Sequence, residues 1–346
     1  MKSSQKSLSF INPRAKHNFQ GRTCSIAGVG SYVPERVLTN QDLEKMVETS
    51  DEWITTRTGI KERRLAAPGE TTSDMGAEAA RRALADAGVA PEDLDLIIVA
   101  TVTPDMPFPS TACLIQAKLG ARRAAAFDIE AACSGFVYGL EIGQQFVMSR
   151  TYDTVLVVGA EKLSSIVDWT DRNTCVLFGD GAGAAVLRNR DGAHGLLTVC
   201  MGADGGKGSL LQVPAGGSAM PASEETVKRR LHYIRMEGRE TFKNAVQAMC
   251  AAAEEALRRC RADISQVACI IPHQANRRII DAVAARLKAK PDQVYVNLDR
   301  YGNTSAASVA IALDEAARSG RIQRGDLALL TVFGGGFTWG SALLEW

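Results

Sequence analysis

The chain has 346 residues, 46% of them hydrophobic, and its 40 Lys and Arg residues nearly balance 39 Asp and Glu residues, leaving a formal charge of +1. This length and composition are typical of a globular protein with one large domain or two and a substantial buried core. The near-zero charge argues against nucleic acid or a membrane surface as the main partner. The sequence contains no run of about 18 apolar residues, the length that would span a bilayer.

The eight cysteines include no C-x-x-C pair, and no Cys/His cluster has the spacing of a zinc site. Reduced thiols in a cytoplasm are the simplest account of this distribution. We therefore expect a cytoplasmic protein without a metal site.

The N-terminal segment differs in composition from the rest of the chain. Its first 34 residues lack Asp and Glu and carry five Lys or Arg residues among several serines. This composition resembles that of a transit peptide, but an apolar signal core is missing. We expect residues 1–22 to be a disordered extension, with organelle targeting as the alternative.

From Thr23 onward, short apolar runs alternate with segments of helical periodicity, which is the pattern of an α/β protein with buried strands. Strands are predicted over 95–101, 154–160, 267–272 and 327–332. Each run is short and rich in branched side chains, as expected for strands that are covered on both faces.

Helix ends are marked by capping residues. Two helices are predicted to begin at a serine N-cap and to end at a glycine, Ser73 to Gly88 and Ser110 to Gly120. The charged, Ala-rich segment 224–261 is interrupted by Gly238 and is predicted to hold two helices.

A faint internal repeat links the two halves of the chain. LIIVA, STACLIQAKLG and AFDIE precede Cys133, whereas ACIIP, NRRIIDAVAARLK and VYVNLDRYGN lead to Asn303. Ile98 to Cys133 is 35 residues, and Ile270 to Asn303 is 33. If the halves are structural copies, Cys133 and Asn303 occupy equivalent turns and face one another across a pseudo-twofold axis. The alternative is that any α/β protein repeats strand, helix and strand.

Cys133 lies in AACSGFVYGL, between small residues at the start of an apolar helical segment. The amides at a helix N-terminus lower a thiol pKa and can receive an oxyanion, so this position suits a nucleophile. The alternative is a buried and inert structural thiol.

His273 follows the apolar strand ACIIP, at the strand end where α/β active sites gather. Asn303 stands in YGNTSAAS, where a glycine precedes it and hydroxyl side chains follow. The alternative roles are a structural histidine and a turn asparagine that only holds the backbone.

FGGGFTWG, 333–340, follows a predicted strand, and its glycines allow backbone amides to approach a ligand or simply form a tight turn. Other motifs do not fit. There is no G-x-S-x-G of a serine hydrolase, GADGGKG lacks the spacing and hydroxyl of a P-loop, and GDGAGA is not G-x-G-x-x-G.

Together, AACSGF, PHQANRRII, GNTSAAS and FGGGFTWGSALL resemble the active-site segments of β-ketoacyl-acyl carrier protein synthase III enzymes. These condensing enzymes start bacterial type II fatty-acid synthesis. The resemblance runs from about Cys24 to Trp346 and includes TSDEWITTRTGI and FGDGAGAAVL.

The resemblance implies an α/β thiolase-like fold, a duplicated βαβ core of two mixed five-stranded sheets in a five-layer αβαβα architecture. It divides the chain into an N-terminal half, 23–195, with the cysteine, and a C-terminal half, 196–346, with the histidine, the asparagine and the Gly-rich loop. It also implies a homodimer.

The resemblance assigns catalytic roles. Cys133 matches the acylated nucleophile, and His273 and Asn303 match the other triad members. Gly335 matches the residue whose backbone N–H joins that of Cys133 in an oxyanion hole. Relatives with a different third residue, either His or Cys, are elongating synthases and thiolases, and the Gly-Phe-Gly-Pro-Gly loop of chalcone-type synthases is absent here.

The resemblance also implies binding surfaces. The residues that match coenzyme A-binding positions are Trp53, Arg57, Arg172 and Asn276. Trp53 and Arg172 match the two that lie on either side of its adenine. Phe108, Leu177, Phe178 and Met236 border the acyl pocket, with Phe108 contributed to the partner subunit. Lys243 and Arg278 match basic positions that receive the acyl carrier protein.

These matches predict decarboxylative condensation of a short acyl-CoA with malonyl-acyl carrier protein, without a metal or redox cofactor. An enzyme that primes a polyketide or another secondary metabolite would keep the same residues, because its difference lies in pocket shape. A non-catalytic acyl-CoA or carrier-protein binding module is the third alternative.

Overall fold

Buried apolar runs form strands and amphipathic segments form helices along the part of the chain that the computed structural model describes, residues 23–190 and 195–346. The predicted extension 1–22 lies outside the described residues. No helix among the described residues is both long enough and apolar enough to cross a bilayer.

The strands are β1 (Thr23–Tyr32), β2 (Arg36–Thr39), β3 (Glu62–Leu65), β4 (Leu96–Ala100), β5 (Ala125–Ile129), β6 (Thr154–Glu161), β7 (Gly181–Arg190), β8 (Gly195–Ala203), β9 (Leu211–Gln212), β10 (Arg235–Met236), β11 (Val267–Pro272), β12 (Leu327–Gly334) and β13 (Thr338–Glu345). The α-helices are α1 (Asn40–Glu44), α2 (Asp51–Thr58), α3 (Thr72–Ala87), α4 (Thr111–Leu119), α5 (Gly135–Met148), α6 (Arg172–Cys175), α7 (Glu224–Lys228), α8 (Gly238–Cys260), α9 (Arg277–Leu287), α10 (Leu298–Tyr301) and α11 (Ala307–Arg318).

Two mixed sheets form the core. The first has five strands in the order β1-β7-β6-β4-β5, with β6, β4 and β5 parallel and β7 antiparallel to both of its neighbours. The second has four strands in the order β11-β12-β13-β8, with β11 and β12 parallel. Position by position, β8, β13, β12 and β11 repeat β1, β7, β6 and β4.

The resemblance predicted five strands in each sheet, and this is wrong for the second. Where β5 would have its counterpart, the chain makes a single parallel bridge between Ile270 and Val294. The segment lies between a short 3₁₀ turn, Pro291–Gln293, and α10, and it pairs with β11 at this one position.

Helices form three layers around these sheets. Helices α3 and α4 cover the outer face of the first sheet, and α8 covers the outer face of the second, with α9 packed beside it. Helices α5 and α11 lie between the sheets, within one large apolar core that includes Phe136 and Leu313. The predicted five-layer αβαβα architecture is therefore confirmed.

Helix α5 approaches the first sheet closely because small residues line one of its faces. Gly135, Gly139 and Gly143 are spaced four residues apart, so they share a face. A Cβ atom at Gly139 would lie 2.7 Å from a methyl of Val157 in β6. These glycines set how closely α5 packs on the first sheet, and this distance fixes the position of the turn before the helix.

Local predictions agree with most elements. Strands β4, β6, β11 and β12 occupy the predicted segments to within two residues, and Gly238 begins the second of two helices. The N-cap predicted at Ser73 is wrong. Thr71 caps α3 by accepting from the Asp74 amide, while the Ser73 hydroxyl donates to Asp105 at 2.6 Å.

Candidate active site

Cys133 stands on a tight turn between β5 and α5. Residues Ala132–Ser134 form one turn of 3₁₀ helix, and α5 begins two residues after the cysteine, at Gly135. Ala132 has a φ of +45°, which an L-residue adopts at a cost of about 1 kcal/mol. The side chain of Cys133 is thereby held at the start of α5, and the residue is 8% exposed.

The thiol is protonated at neutral pH. Burial raises the pKa of Cys133 to about 12, the carboxylate of Glu161 adds to the rise, and hydrogen bonds from Ser305 and from the cysteine's own backbone amide oppose it. The lowered pKa expected from a helix N-terminus is therefore wrong for the folded chain, because desolvation outweighs those hydrogen bonds. A nucleophilic role for Cys133 would require this proton to leave as the sulfur attacks.

His273 lies directly after β11 and is 4% exposed. Its Nδ1 is 3.1 Å from the Ser308 hydroxyl, and that hydroxyl accepts the Gln274 amide at 2.8 Å. The Ser308 oxygen has two lone pairs and one proton, so it can donate to Nδ1 or accept from it; donation to Nδ1 goes with the ring proton on Nε2, the tautomer that would donate into the cavity. Burial lowers the pKa of His273 to about 4, so the ring is neutral at pH 7.

Asn303 is the second residue of the short connection, 302–306, between α10 and α11. It pairs with Phe178 through a parallel bridge, and its Oδ1 accepts the Ser305 amide at 2.8 Å. Because this bond holds Oδ1, the amide nitrogen Nδ2 is the group that Asn303 offers a ligand. Cys133 precedes α5 and Asn303 precedes α11, so the two occupy equivalent turns in the duplicated halves.

The structure brings the three predicted triad residues into one cavity. Cys133, His273 and Asn303 line a space of about 740 Å³ that opens to the surface. Cys133 also lines a second cavity of about 440 Å³, together with Ser305 and Gly335. The cysteine therefore stands at the border of two cavities.

The Gly-rich loop approaches the cysteine through Gly334. A Cβ atom at Gly334 would lie 2.6 Å from the backbone nitrogen of Cys133, whereas at Gly335 it would lie 3.3 Å from the Leu211 carbonyl oxygen. Gly335, the predicted oxyanion donor, lines the smaller cavity beside Cys133. Its role as the donor stays a prediction.

The residues predicted to bind coenzyme A gather at the mouth of the larger cavity. Trp53, Arg57 and Asn276 line it. Asn276 caps α9 and donates to the Arg57 carbonyl at 3.1 Å. Arg172 contacts Trp53 directly, with its guanidinium carbon 5.0 Å from the ring centroid, so a base fits between them only after Arg172 moves away.

The predicted acyl-pocket residues are divided. Leu177, Phe178 and Met236 line the larger cavity, and Phe178 lines the smaller one as well. Phe108 lines neither cavity. It lies on the loop before α4 and is 84% exposed, so within one chain it does not contribute to an acyl pocket.

Of the predicted carrier-protein residues, Arg278 lines the larger cavity and Lys243 follows Phe242, which also lines it. Lys243 is exposed on α8, and the Arg278 guanidinium on α9 packs over Phe242, 5.9 Å from the ring centroid. Arg235 and Arg239 also line this mouth, and sequence reasoning missed both. Their positions in the sequence could have indicated them, because Arg235 precedes Met236, a predicted pocket residue, and Arg239 follows Gly238.

Sequence reasoning also missed Glu161, Ser305 and Ser308 near the reacting groups. The two serines are part of GNTSAAS, where hydroxyl residues read as helix caps. Glu161 ends the apolar strand β6 and is fully buried. Among the described residues, no cluster of three or more His, Cys, Asp or Glu side chains could hold a metal ion.

Known proteins share this fold and sequence. Residues 127–205 match the family described as 3-Oxoacyl-[acyl-carrier-protein (ACP)] synthase III, and residues 257–346 match the family described as its C terminal. A beta-ketoacyl-[acyl-carrier-protein] synthase III of Caldanaerobacter subterraneus subsp. tengcongensis is 62% identical over 321 residues, 93% of this chain and 97% of that protein.

Solved structures agree. The 3-oxoacyl-[acyl-carrier-protein] synthase III of Aquifex aeolicus VF5 is 52% identical with a TM-score of 0.87, covering 93% of this chain and 100% of that one. The priming beta-ketosynthase of the R1128 polyketide pathway is 37% identical with a TM-score of 0.87, covering 96% of this chain and 98% of that one.

The duplicated αβαβα fold and these relatives define a condensing enzyme, an acyltransferase with the thiolase fold. The chain belongs to the β-ketoacyl-[acyl-carrier-protein] synthase III family. The resemblance seen in the sequence is confirmed.

Proposed function

We propose that this chain condenses a short acyl-CoA with malonyl-acyl carrier protein and so initiates type II fatty-acid synthesis. The observation that carries the proposal is the position of Cys133, which shares one cavity with His273 and Asn303 and alone of the three also lines the second cavity. The larger cavity takes the thioester arm of each substrate in turn, and the smaller cavity takes the acyl group.

In the first half-reaction the Cys133 sulfur attacks the thioester carbonyl of the acyl-CoA. The oxyanion that forms is stabilised by the backbone N–H groups of Cys133 and Gly335. Coenzyme A leaves through the mouth lined by Trp53 and Arg57, and the acyl group stays on the sulfur as an acyl-enzyme.

In the second half-reaction malonyl-acyl carrier protein enters the vacated cavity. The Nε2 proton of His273 and the Nδ2 protons of Asn303 donate to the malonyl thioester oxygen, where negative charge develops as carbon dioxide leaves. The carbanion attacks the acyl-cysteine and gives a 3-ketoacyl-acyl carrier protein. Loss of carbon dioxide drives the condensation, so the reaction needs neither a metal nor a redox cofactor.

The proposed partners follow from the surface. Phe108 is a large apolar side chain exposed on a loop, and a second copy of the chain would cover it in a homodimer. Lys243 and Arg278 would receive the acidic carrier protein beside the cavity mouth. A cytoplasmic location is part of the same proposal.

Priming of a polyketide pathway is the second candidate, and the 37% identity to the R1128 priming ketosynthase favours it. The two functions share every residue of the proposed site and differ in the acyl group accepted. Single-methylene discrimination in an apolar pocket is worth about 1–3 kcal/mol, so the choice needs a direct comparison of primers.

The proposal is tested by intact-protein mass after brief incubation with acetyl-, butyryl-, isobutyryl-, octanoyl- and malonyl-CoA, followed by peptide mapping. We expect short saturated acyl groups on Cys133. Cys133→Ala should carry no adduct, whereas Cys113→Ala, which removes an exposed thiol elsewhere, should be acylated normally. Folded protein that forms no adduct with any primer, or an adduct that persists in Cys133→Ala, would overturn the proposal.

A further inference from the structure

Arg63 is a fully buried arginine on β3 that the proposed half-reactions do not use. Its guanidinium donates to three oxygen atoms, the Leu38 carbonyl at 3.2 Å, Asn40 Oδ1 at 2.9 Å and the Val176 carbonyl at 2.7 Å. The remaining nitrogen, Nε, has no hydrogen-bond partner among the described residues. None of the three acceptors carries a charge, so the cation is buried without a hydrogen-bonded carboxylate.

Core packing alone does not explain a charged side chain at this position. Burying a charge that no carboxylate accompanies is costly, and apolar side chains fill a core without that cost. Desolvation lowers the pKa of Arg63 to about 10, so the guanidinium is still charged at neutral pH. The arginine adds a planar group that donates in several fixed directions, which no apolar side chain can do. Its purpose lies in the atoms that it holds.

The Val176 carbonyl belongs to the segment that holds Asn303. This segment, between α6 and β7, forms neither a helix nor a strand of its own. The Leu177 carbonyl accepts the Asn303 amide at 2.8 Å, and the Asn303 carbonyl accepts the Gly179 amide at 3.1 Å. These two hydrogen bonds make the parallel bridge between Phe178 and Asn303. The position of Asn303 therefore depends on what holds the segment.

The stem of Arg63 lies against the same bridge. A Cβ atom at Gly179, the residue after Phe178, would lie 3.0 Å from the Arg63 Cβ. A Cβ atom at Gly302, the residue before Asn303, would lie 3.5 Å from it. Arg63 thus packs beside both chain segments of the bridge and also binds one of them through its guanidinium.

The guanidinium is tied on its other side to the helix at the mouth of the larger cavity. Asn40 is fully buried and accepts from Arg63, and its Nδ2 donates to Asp51 Oδ1 and to the Ile60 carbonyl, both at 2.8 Å. Asp51 is the first residue of α2, which lines that mouth. A continuous chain of hydrogen bonds therefore runs from α2 through Asn40 and Arg63 to the segment that holds Asn303.

We propose that Arg63 is a positioning residue for Asn303. It keeps residues 176–178 at a fixed distance from α2, so that the Asn303 amide meets a malonyl thioester that enters past this helix. The inference rests on the proposed function, in which Asn303 donates to the enolate oxygen. Arg63 lines neither cavity, so it acts through Asn303 and not on the substrate.

The test compares the two half-reactions in Arg63→Met, which keeps an unbranched side chain and removes every donor. Decarboxylation is followed as release of carbon dioxide from malonyl-acyl carrier protein. Acylation of Cys133 by acetyl-CoA is followed by rapid quench and intact mass, because this small primer depends least on the pocket residues Leu177 and Phe178.

Arg63→Met should lower the kcat for decarboxylation by about tenfold or more, a smaller effect than loss of an oxyanion-type donor itself. The KM for malonyl-acyl carrier protein should stay unchanged, because the Asn303 amide acts on charge that develops only in the transition state. The acylation rate should stay within about twofold of the wild-type rate, since Asn303 has no part in that step.

Two further variants serve as comparisons. Arg63→Lys should lie between the wild type and Arg63→Met, because an ammonium group can donate to the Val176 carbonyl but lacks the planar fork. Arg64→Met is the matched control, since Arg64 is the next residue of β3 and its guanidinium contacts the Pro34 carbonyl and Glu62, away from the bridge. Both half-reactions should stay at the wild-type rate in the control.

A double variant separates a positioning role from a general loss of stability. Arg63→Met combined with Asn303→Ala should decarboxylate no more slowly than Asn303→Ala alone, because the first residue acts through the second. Additive losses in the double variant would overturn the proposal. Equal losses in both half-reactions, or unchanged decarboxylation in Arg63→Met, would overturn it as well.

A failure of Arg63→Met to fold leaves the decision to Arg63→Lys. That variant must then slow decarboxylation more than acylation, and any other ratio of the two rates counts against the proposal. Failure of the proposed function gives a different result, because the wild-type protein would then neither form the acetyl-enzyme nor release carbon dioxide.

Discussion

Gly334 meets the backbone of Cys133 so closely that a Cβ atom there would lie 2.6 Å from the cysteine's amide nitrogen. The loop after β12 is therefore in contact with the turn that carries Cys133. Any side chain at Gly334 must push that turn away or displace the loop.

Gly334→Ala should therefore inactivate the enzyme. We expect acyl-enzyme formation to fall by about a hundredfold or more, the cost of losing one oxyanion donor, because the Cys133 amide is displaced. Gly335→Ala is the matched comparison, since its Cβ atom would lie 3.3 Å from the nearest atom, the Leu211 carbonyl oxygen, and a small shift relieves that contact. Equal effects of the two substitutions on acylation would contradict this account.

The two half-reactions should separate in variants of the donor pair. His273→Ala and Asn303→Ala should slow malonyl decarboxylation far more than self-acylation, because both side chains act on the enolate oxygen. Ser308→Ala should slow decarboxylation less, since it removes only the partner that orients the His273 ring. Measured release of carbon dioxide and acyl-enzyme mass distinguish the steps, and equal loss of both would indicate a structural role.

Glu161 should make stability depend on pH. Burial raises its pKa from 4.5 to about 7, so the stability tied to its protonated form is present below pH 4.5 and is lost as pH rises through 7. The free energy of unfolding of Glu161→Gln, relative to that of the wild type, should therefore increase by up to about 3 kcal/mol as the pH rises from 4.5 to 8. Urea unfolding at a series of pH values checks this, and a constant difference would refute it.

Phe108 should matter for association. Phe108→Asp should weaken the proposed dimer, because it replaces a large apolar side chain that a second copy would bury with a charged one. Val227→Asp is the control, since Val227 is 62% exposed on α7 and has no proposed partner surface. Sedimentation velocity of the two variants gives the result, and an unchanged dimer in Phe108→Asp would place the interface elsewhere.

Lys243 should act on one substrate only. Lys243→Glu should raise the KM for malonyl-acyl carrier protein several-fold while the KM for acyl-CoA stays unchanged, because an exposed basic side chain outside the cavity affects encounter with an acidic protein. Lys45→Glu, a charge reversal on an exposed side chain of another element, should change neither. An equal rise for both substrates would place Lys243 in the coenzyme A route.

Much of the fold was predictable because its signals are local. Buried strands such as β11 are short apolar runs, and Gly120 ends α4 where a left-handed residue is needed. The duplication was visible only as matching spacings, since the copied elements share shape more than side chains. The missing fifth strand of the second sheet had no local signal, because VYVNL has the composition of a strand and only its tertiary context decides.

The triad could be predicted, but its electrostatics could not. The expected thiolate depended on the helix that follows Cys133, whereas desolvation by residues distant in sequence sets the pKa. Thr103 and Glu161 are 58 positions apart in the chain, and only the folded structure shows that the Thr103 hydroxyl donates to the Glu161 carboxylate. Burial and long-range contacts are the properties that periodicity and motifs do not carry.

The border position of Cys133 between two cavities has a consequence for kinetics and inhibition. In the proposed reaction both substrates reach the sulfur by the same entrance, so the second cannot arrive until the first carrier has gone, and the enzyme should follow ping-pong kinetics. The acyl group on Cys133 meanwhile occupies the smaller cavity. A single molecule long enough to fill both sides would block the entrance and the acyl chamber together, and it would compete with either substrate.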